Sequence, residues 1–335
     1  EGIYHIHIGI FAPAGGGRIL DTYELGTITV SRDAPPADIA APKPITEAET
    51  ASRRERLDAF FANPVAVIER PTYRLAVTGP NGLLQLTDGL SGIRWTAGGP
   101  DHDLGYVTVH RDATTRLIPL GPFNTIDADA NSVTMSQTLR TQQEGELGLV
   151  LHLHITPLED PAGIRITSST ENLGASPWTV GSVRILDGAL PVTDADAGYA
   201  VLPMRLGEQV FAAEGLPRRI SLDTYNGQST MAMAGMVKQG SAMLLAWRHP
   251  GVSLDVSRAW VDDGTTPGVR VLSTGITLAQ GAQDVDLYPL GSGDYVTVAK
   301  AYRRVALRNG WLATWAEKRT RFPTVDHMFG AADFK

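Results

Sequence analysis

Apolar and polar residues alternate with a period of two along most of this chain, and with a helical period only near its end. The first stretch alternates through Ile3, His5-Ile6-His7-Ile8 and then Leu25-Gly26-Thr27-Ile28-Thr29-Val30, with Pro13-Ala14-Gly15-Gly16-Gly17 as a turn-rich break. This predicts a strand pair over residues 1–33, too small to stand alone in water. Residues 34–44 are rich in Pro and Ala and read as an extended linker. Thr46 and Glu49 form a capping box for a short helix carrying Leu57, Phe60 and Phe61, which Asn63-Pro64 ends.

From 65 to about 290 short apolar-rich segments succeed one another between Gly, Asn, Asp and Pro punctuation. Among them are Ala66-Val67-Ile68, Tyr73-Arg74-Leu75-Ala76-Val77, Leu149 to Ile155, Ile164 to Thr167 and Met243 to Trp247. No regular alternation with helices interrupts them, so a doubly wound parallel sheet is disfavoured and a large sandwich is expected. The helical period then appears over 294–318: Tyr295, Val298, Ala299, Tyr302, Val305 and Ala306 face one way, and Lys300, Arg303, Arg304 and Arg308 the other. Gly310 is placed to break or kink this helix before Trp311-Leu312-Ala313-Thr314-Trp315. The expected fold class is mostly β: a large antiparallel β-supersandwich, a C-terminal connector helix and a short N-terminal β segment. The chain opens in a strand without an initiator Met and closes in what reads as a connector, so a piece of a larger protein is expected.

Composition narrows the function classes. The net charge of −7 over 335 residues argues against a phosphate-backbone partner, so no nucleic acid is expected. Without cysteine there is neither a disulfide nor a thiolate metal site. No apolar run approaches the roughly 20 residues that span a bilayer. No Gly-x-Ser-x-Gly elbow is present, which removes the commonest serine hydrolase reading.

Two passages resemble known carbohydrate enzymes. Gly163 to Thr167, Thr170-Glu171-Asn172-Leu173-Gly174, Trp178-Thr179-Val180 and Val183 to Leu186 resemble the strand–turn–strand passage of galactose-mutarotase-like β-supersandwich domains. Gly198 to Gly207, Ser229 to Met233 and the segment from Asp294-Tyr295 to Phe329-Gly330-Ala331 resemble the sandwich and helical connector preceding the barrel of glycoside hydrolases similar to endo-α-N-acetylgalactosaminidases. The resemblance implies four parts: residues 1–33 ending a preceding sandwich, a linker and helix at 34–64, the supersandwich at 65–290, and a connector at 291–335 leading to a catalytic (β/α)-barrel. It also implies a carbohydrate partner, catalytic carboxylates outside this chain, and an extracellular or periplasmic location. The alternatives are a stand-alone carbohydrate-binding or scaffold module, and a sandwich epimerase or polysaccharide lyase, which needs paired His and a Glu converging in one cleft.

The candidate sugar contacts are Trp95 and Trp178, aromatic rings flanked by turn residues, and the loop Asp101-His102-Asp103. A ring can stack on the apolar face of a sugar, although packing is its commoner use. His5/His7 and His152/His154 each put two imidazoles on one strand face, half of a zinc site or simply a polar face. No cofactor is required; calcium is suggested only by Asp127-Ala128-Asp129 and Asp194-Ala195-Asp196. Both runs lack the Gly and Glu of the full loop, having Ser132 and Thr138, and Tyr199 and Arg205, at those positions.

Overall fold

A computed structural model describes residues 2–8, 23–30, 48, 51, 55, 58–97, 103–174, 176–204, 207–214, 218–223, 229–261, 269–279 and 283–324. The chain divides into two units, Glu1–Lys43 and Pro44–Lys335. In the first, Gly2–Ile8 (β1) and Tyr23–Val30 (β2) form an antiparallel pair with a bulge between Ile6 and His7.

The second unit is built on three antiparallel sheets. The largest runs in the order Glu208–Phe211 (β15), Tyr199–Leu202 (β14), Met233–Lys238 (β17), Ser241–Ala246 (β18), Asp284–Ser292 (β21), Ala162–Asn172 (β12), Gly145–Glu159 (β11), Val133–Thr141 (β10) and Thr125–Ala128 (β9). A six-stranded sheet runs Arg218–Asp223 (β16), Val252–Val261 (β19), Val269–Ala279 (β20), Thr179–Thr193 (β13), Tyr106–Arg111 (β7) and Thr114–Pro119 (β8). A small meander holds Ala66–Arg70 (β3), Tyr73–Val77 (β4), Leu84–Asp88 (β5) and Arg94–Ala97 (β6). Residues from all three sheets, including Leu75, Trp95, Met135, Leu151, Ile185, Leu254, Ile276 and Leu287, share one core. The fold is therefore the mostly β sandwich that the alternation predicts.

The nine-stranded sheet is covered on both faces at its centre, which explains the unbroken apolar run in β18. Met243 and Leu245 enter the sandwich core, while Leu244 and Ala246 enter a second core under helix Tyr295–Arg308 (α1). The helix lays Val298, Ala301 and Val305 on that face; Ala299, placed on the stripe by its spacing, is instead exposed. Gly235 lets the helix approach, since a Cβ there would lie 2.7 Å from Val298 Cγ1. Asp294 caps α1 in a capping box, and Gly310 follows its C-cap with φ 68°. The helix does not continue through Trp311; a separate short helix, Trp315–Arg321 (α2), begins after the Thr314 cap.

Asp88 ties the meander to the large sheet. Fully buried at the end of β5, it accepts from Leu90 N (2.8 Å) and Ser91 N (3.2 Å) on one oxygen, and from Gly291 N (2.6 Å) and Ser241 Oγ (3.5 Å) on the other. Truncation strands several buried donors at once. Asp88→Ala is expected to destabilise the protein by about 3 kcal/mol in urea denaturation, against less than about 1 kcal/mol for Ser241→Ala.

Candidate functional site

One face of the six-stranded sheet is apolar and closes the core; the other is polar and open. Along β19, Val252, Leu254 and Val256 point inward while Ser253, Asp255 and Ser257 alternate with them. Along β20, Leu272, Thr274, Ile276 and Leu278 are buried in the same way, and Ser273, Gly275 and Thr277 alternate with them. The pleat thus gathers hydroxyls, carboxylates and arginines from neighbouring strands onto one surface.

Arg184 of β13 organises that surface. Its partner on β20 is Thr277, and it reaches across β20 to the Asp255 carboxylate on β19. The guanidinium passes over Gly275, where a Cβ would lie 2.7 Å from Cζ and closer still to Nη2. Arg184 Nε also donates to Asp187 Oδ1 (2.7 Å) and Nη1 to Thr277 Oγ1 (3.3 Å), with Cζ 5.8 Å from the Tyr106 ring centre. Asp255 takes further bonds from Arg219 Nη2 (2.6 Å) and the Ser221 hydroxyl. Both members of the central pair are nearly buried, at 7% and 10% side-chain exposure. Such a pair is stable only because each charge is met by several partners. Burial pushes the Asp255 carboxyl up, but the bonds from Arg219, Ser221 and Arg184 outweigh it and hold the group below the ordinary carboxylate range. Burial likewise opposes the charge on Arg184, and its bonds to Asp255 and Asp187 raise it nonetheless.

Beside this network lies a cleft of about 570 Å³ lined by Asp103, Tyr106, Leu117, Pro119, Asp187, Ser257 and Ser273 together with Gly105 and Gly188. Asp187 reaches it through a break in the β13 ladder. The register shifts between Ile185 and Ala189, and Leu186 (φ 55°), Gly188 (φ 64°) and Leu190 (φ 51°) all adopt left-handed backbone. Two leucines in that region are unusual, and their buried side chains hold them there. The loop containing Asp103 meets the same bulge, with Asp187 N donating to Leu104 O (3.0 Å).

Of the sequence-derived candidates, Asp103 lines this cleft, and Asp101 and His102 lie outside the described residues. Trp95 is packed in the core at 1% exposure with Lys238 Nζ 4.7 Å from its ring centre, and burial there lowers the Lys238 amine to about 8. Trp178 is 2% exposed; Arg111 lies 4.6 Å from its ring centre and its Nε1 donates to Glu144 (3.1 Å). His152 and His154 sit on the open face of β11, bonded through Nδ1 to Ser136 (2.9 Å) and Thr134 (2.8 Å). Among the described residues no His, Cys, Asp and Glu side chains cluster as metal ligands. Asp129 accepts from Asn131 N (2.6 Å) within its turn, and Asp196 from Thr193 Oγ1 (2.8 Å) and Gln239 Nε2 (2.6 Å). The sequence reading missed Asp187, Arg184 and Asp255; the Asp187-Gly188 turn pair inside an apolar run was the available signal.

Because the Asp255 pKa is lower folded than unfolded, the stabilisation it supplies is complete above about pH 5 and is lost as pH falls through the folded value. Asp255→Asn is expected to lower the urea midpoint at pH 7, with the gap to wild type narrowing at pH 3. An unchanged gap would contradict the assignment. Gly275→Ala, which intrudes on the guanidinium, is expected to cost about 2 kcal/mol by the same measurement.

No protein-family model matches the chain, and no curated protein matches it. Solved structures do. The alpha-N-acetylgalactosaminidase NagBb from Bifidobacterium bifidum superimposes with a TM-score of 0.57 at 14% identity over 78% of this chain. The present chain spans 42% of that enzyme's length. A galactose mutarotase-like protein from Lactobacillus casei matches 66% of this chain and 98% of its own, with a TM-score of 0.38 at 14% identity. An alpha-galactosidase from Geobacillus stearothermophilus matches 90% of this chain and 42% of its own, with a TM-score of 0.38 at 13% identity. The chain accordingly shares its β-sandwich fold with part of that alpha-N-acetylgalactosaminidase.

Proposed function

We propose that this chain is the non-catalytic β-sandwich portion of a glycoside hydrolase acting on glycans, bracing a catalytic barrel and lining one wall of its sugar site. The observation that carries the reading is the shared fold with an alpha-N-acetylgalactosaminidase across most of this chain. The surface at the end of the described chain supports it. Leu307 (56% exposed), Trp311, Leu312, Trp315 and Phe322 (59%) form an apolar series over α1 and α2. Two indoles in so short an exposed stretch suit a partner domain better than water. In this reading 65–290 is the sandwich, 291–335 the connector to the barrel, and 1–33 the end of a preceding sandwich. The protein then works outside the cytoplasm, where polymeric glycans are met. Asp103, with Asp101 and His102 beside it in sequence, is the loop offered to the sugar.

The test compares the native protein containing this chain with residues 1–335 alone on a panel of aryl α- and β-glycosides. Hydrolysis by the native protein and none by 1–335 is expected. Turnover by 1–335 alone, abolished by substitutions within it, would overturn the non-catalytic assignment.

A further inference from the structure

The polar face of the six-stranded sheet holds a cleft that bracing a barrel does not require. We infer that this cleft binds the uncharged end of a glycan and rejects anionic sugars, with Asp187 as the residue that sets this preference. The inference rests on the glycan reading above and names the sugar class for this one site.

Three observations carry it. First, the volume of about 570 Å³ suits one or two sugar rings, within the common range of about 300–1,000 Å³ for small-ligand sites. Second, the lining mixes the two surfaces a pyranose presents. Leu117, 63% exposed, and Pro119 offer an apolar wall, while Tyr106, Ser257 and Ser273 offer hydroxyls and Asp103 and Asp187 offer carboxylate acceptors. Third, the charge balance excludes anions. The charged residues lining the cleft are Asp103 and Asp187. The adjacent cations are paired with carboxylates: Arg184 with Asp187 and Asp255, and Arg219, through Nη2, with Asp255. A uronate or sulfated sugar entering here meets two carboxylates in the lining itself, while Arg184 and Arg219 are each turned to Asp255, a repulsion that acts as selection against that class. A neutral sugar hydroxyl instead donates to the carboxylate. Asp187 is fixed for that role, since Arg184 Nε holds Oδ1 (2.7 Å) and the left-handed backbone at Leu186, Gly188 and Leu190 bulges it out of the strand.

The probes are N-acetylgalactosamine, lactose and chitotriose as neutral sugars, and trigalacturonate and chondroitin sulfate as anionic ones, titrated calorimetrically into residues 1–335. At least one neutral probe is expected to bind and no anionic one. Asp187→Ala is expected to weaken the neutral probe about tenfold or more, the size expected for losing a hydrogen bond to a charged acceptor, and to admit the anionic probes. Ser273→Trp, which fills the cleft from β20, is the second variant and should abolish binding while the protein still unfolds cooperatively. Neutral binding unaffected by both variants, or anionic binding as tight as neutral, overturns the inference. Absence of all binding in a native protein that still hydrolyses neutral glycosides overturns the cleft assignment and leaves the glycoside hydrolase reading intact. Absence of both overturns the two together.

Discussion

The reach of Arg184 over Gly275 to Asp255 is the constraint on which the open face of the six-stranded sheet depends. A guanidinium nearly sealed from water is tolerable only with its charge met, and here three strands supply what meets it. Thr277 and Gly275 of β20 lie beneath it, Asp255 of β19 receives it, and Arg219 and Ser221 of β16 complete the carboxylate. The network fixes strand register, because a shift of one residue would replace Gly275 by an inward-facing neighbour and turn Asp255 into the core. It also leaves a carboxylate, Asp187, held from behind and presented to the cleft.

The other side of the sandwich obeys a different rule. There β17 and β18 are sealed by the core on one face and by α1 on the other, so apolar residues run without alternation. A second ionic group sits where the helix meets the sheet: Arg165 grips Asp286 through two bonds (2.7 and 2.8 Å), and Tyr288 donates to the same carboxylate (2.8 Å). Burial and the neighbouring Asp286 push the Tyr288 phenol above its ordinary range. Arg308, near the end of α1, reaches the Tyr288 hydroxyl (3.3 Å) and the Asp160 carbonyl. The helix is thus seated by both apolar packing and directed bonds, while residues 311–324 after it are exposed.

Much of this was legible from residue order. The alternation in β10, β11 and β12, the continuous run in β18 and the capped helix at Asp294 each follow from local pattern, because burial there repeats with the period of the element. The β13 bulge was not legible: Leu186 and Leu190 carry no turn signal, and only the surrounding packing holds them in left-handed backbone. Arg184, Arg219 and Asp255 carry no local signal, since nothing in the sequence around them tells that a side chain will lie across a glycine of the neighbouring strand to a carboxylate one strand further on. Trp95 and Trp178 illustrate the converse. Turn residues flank both, yet tertiary packing encloses them, and Asp103 is the candidate contact that reaches the cleft.

The central claim is that this sandwich holds a sugar on its six-stranded sheet while glycoside chemistry is done elsewhere. The most direct measurement is a crystal structure of residues 1–335 grown with a neutral oligosaccharide. The account predicts density for a sugar ring between Leu117 and Asp187, with a hydroxyl donating to the Asp187 carboxylate and the Arg184–Asp255 pair undisturbed. A sugar seated on the nine-stranded sheet instead, with the cleft holding only water, would contradict it.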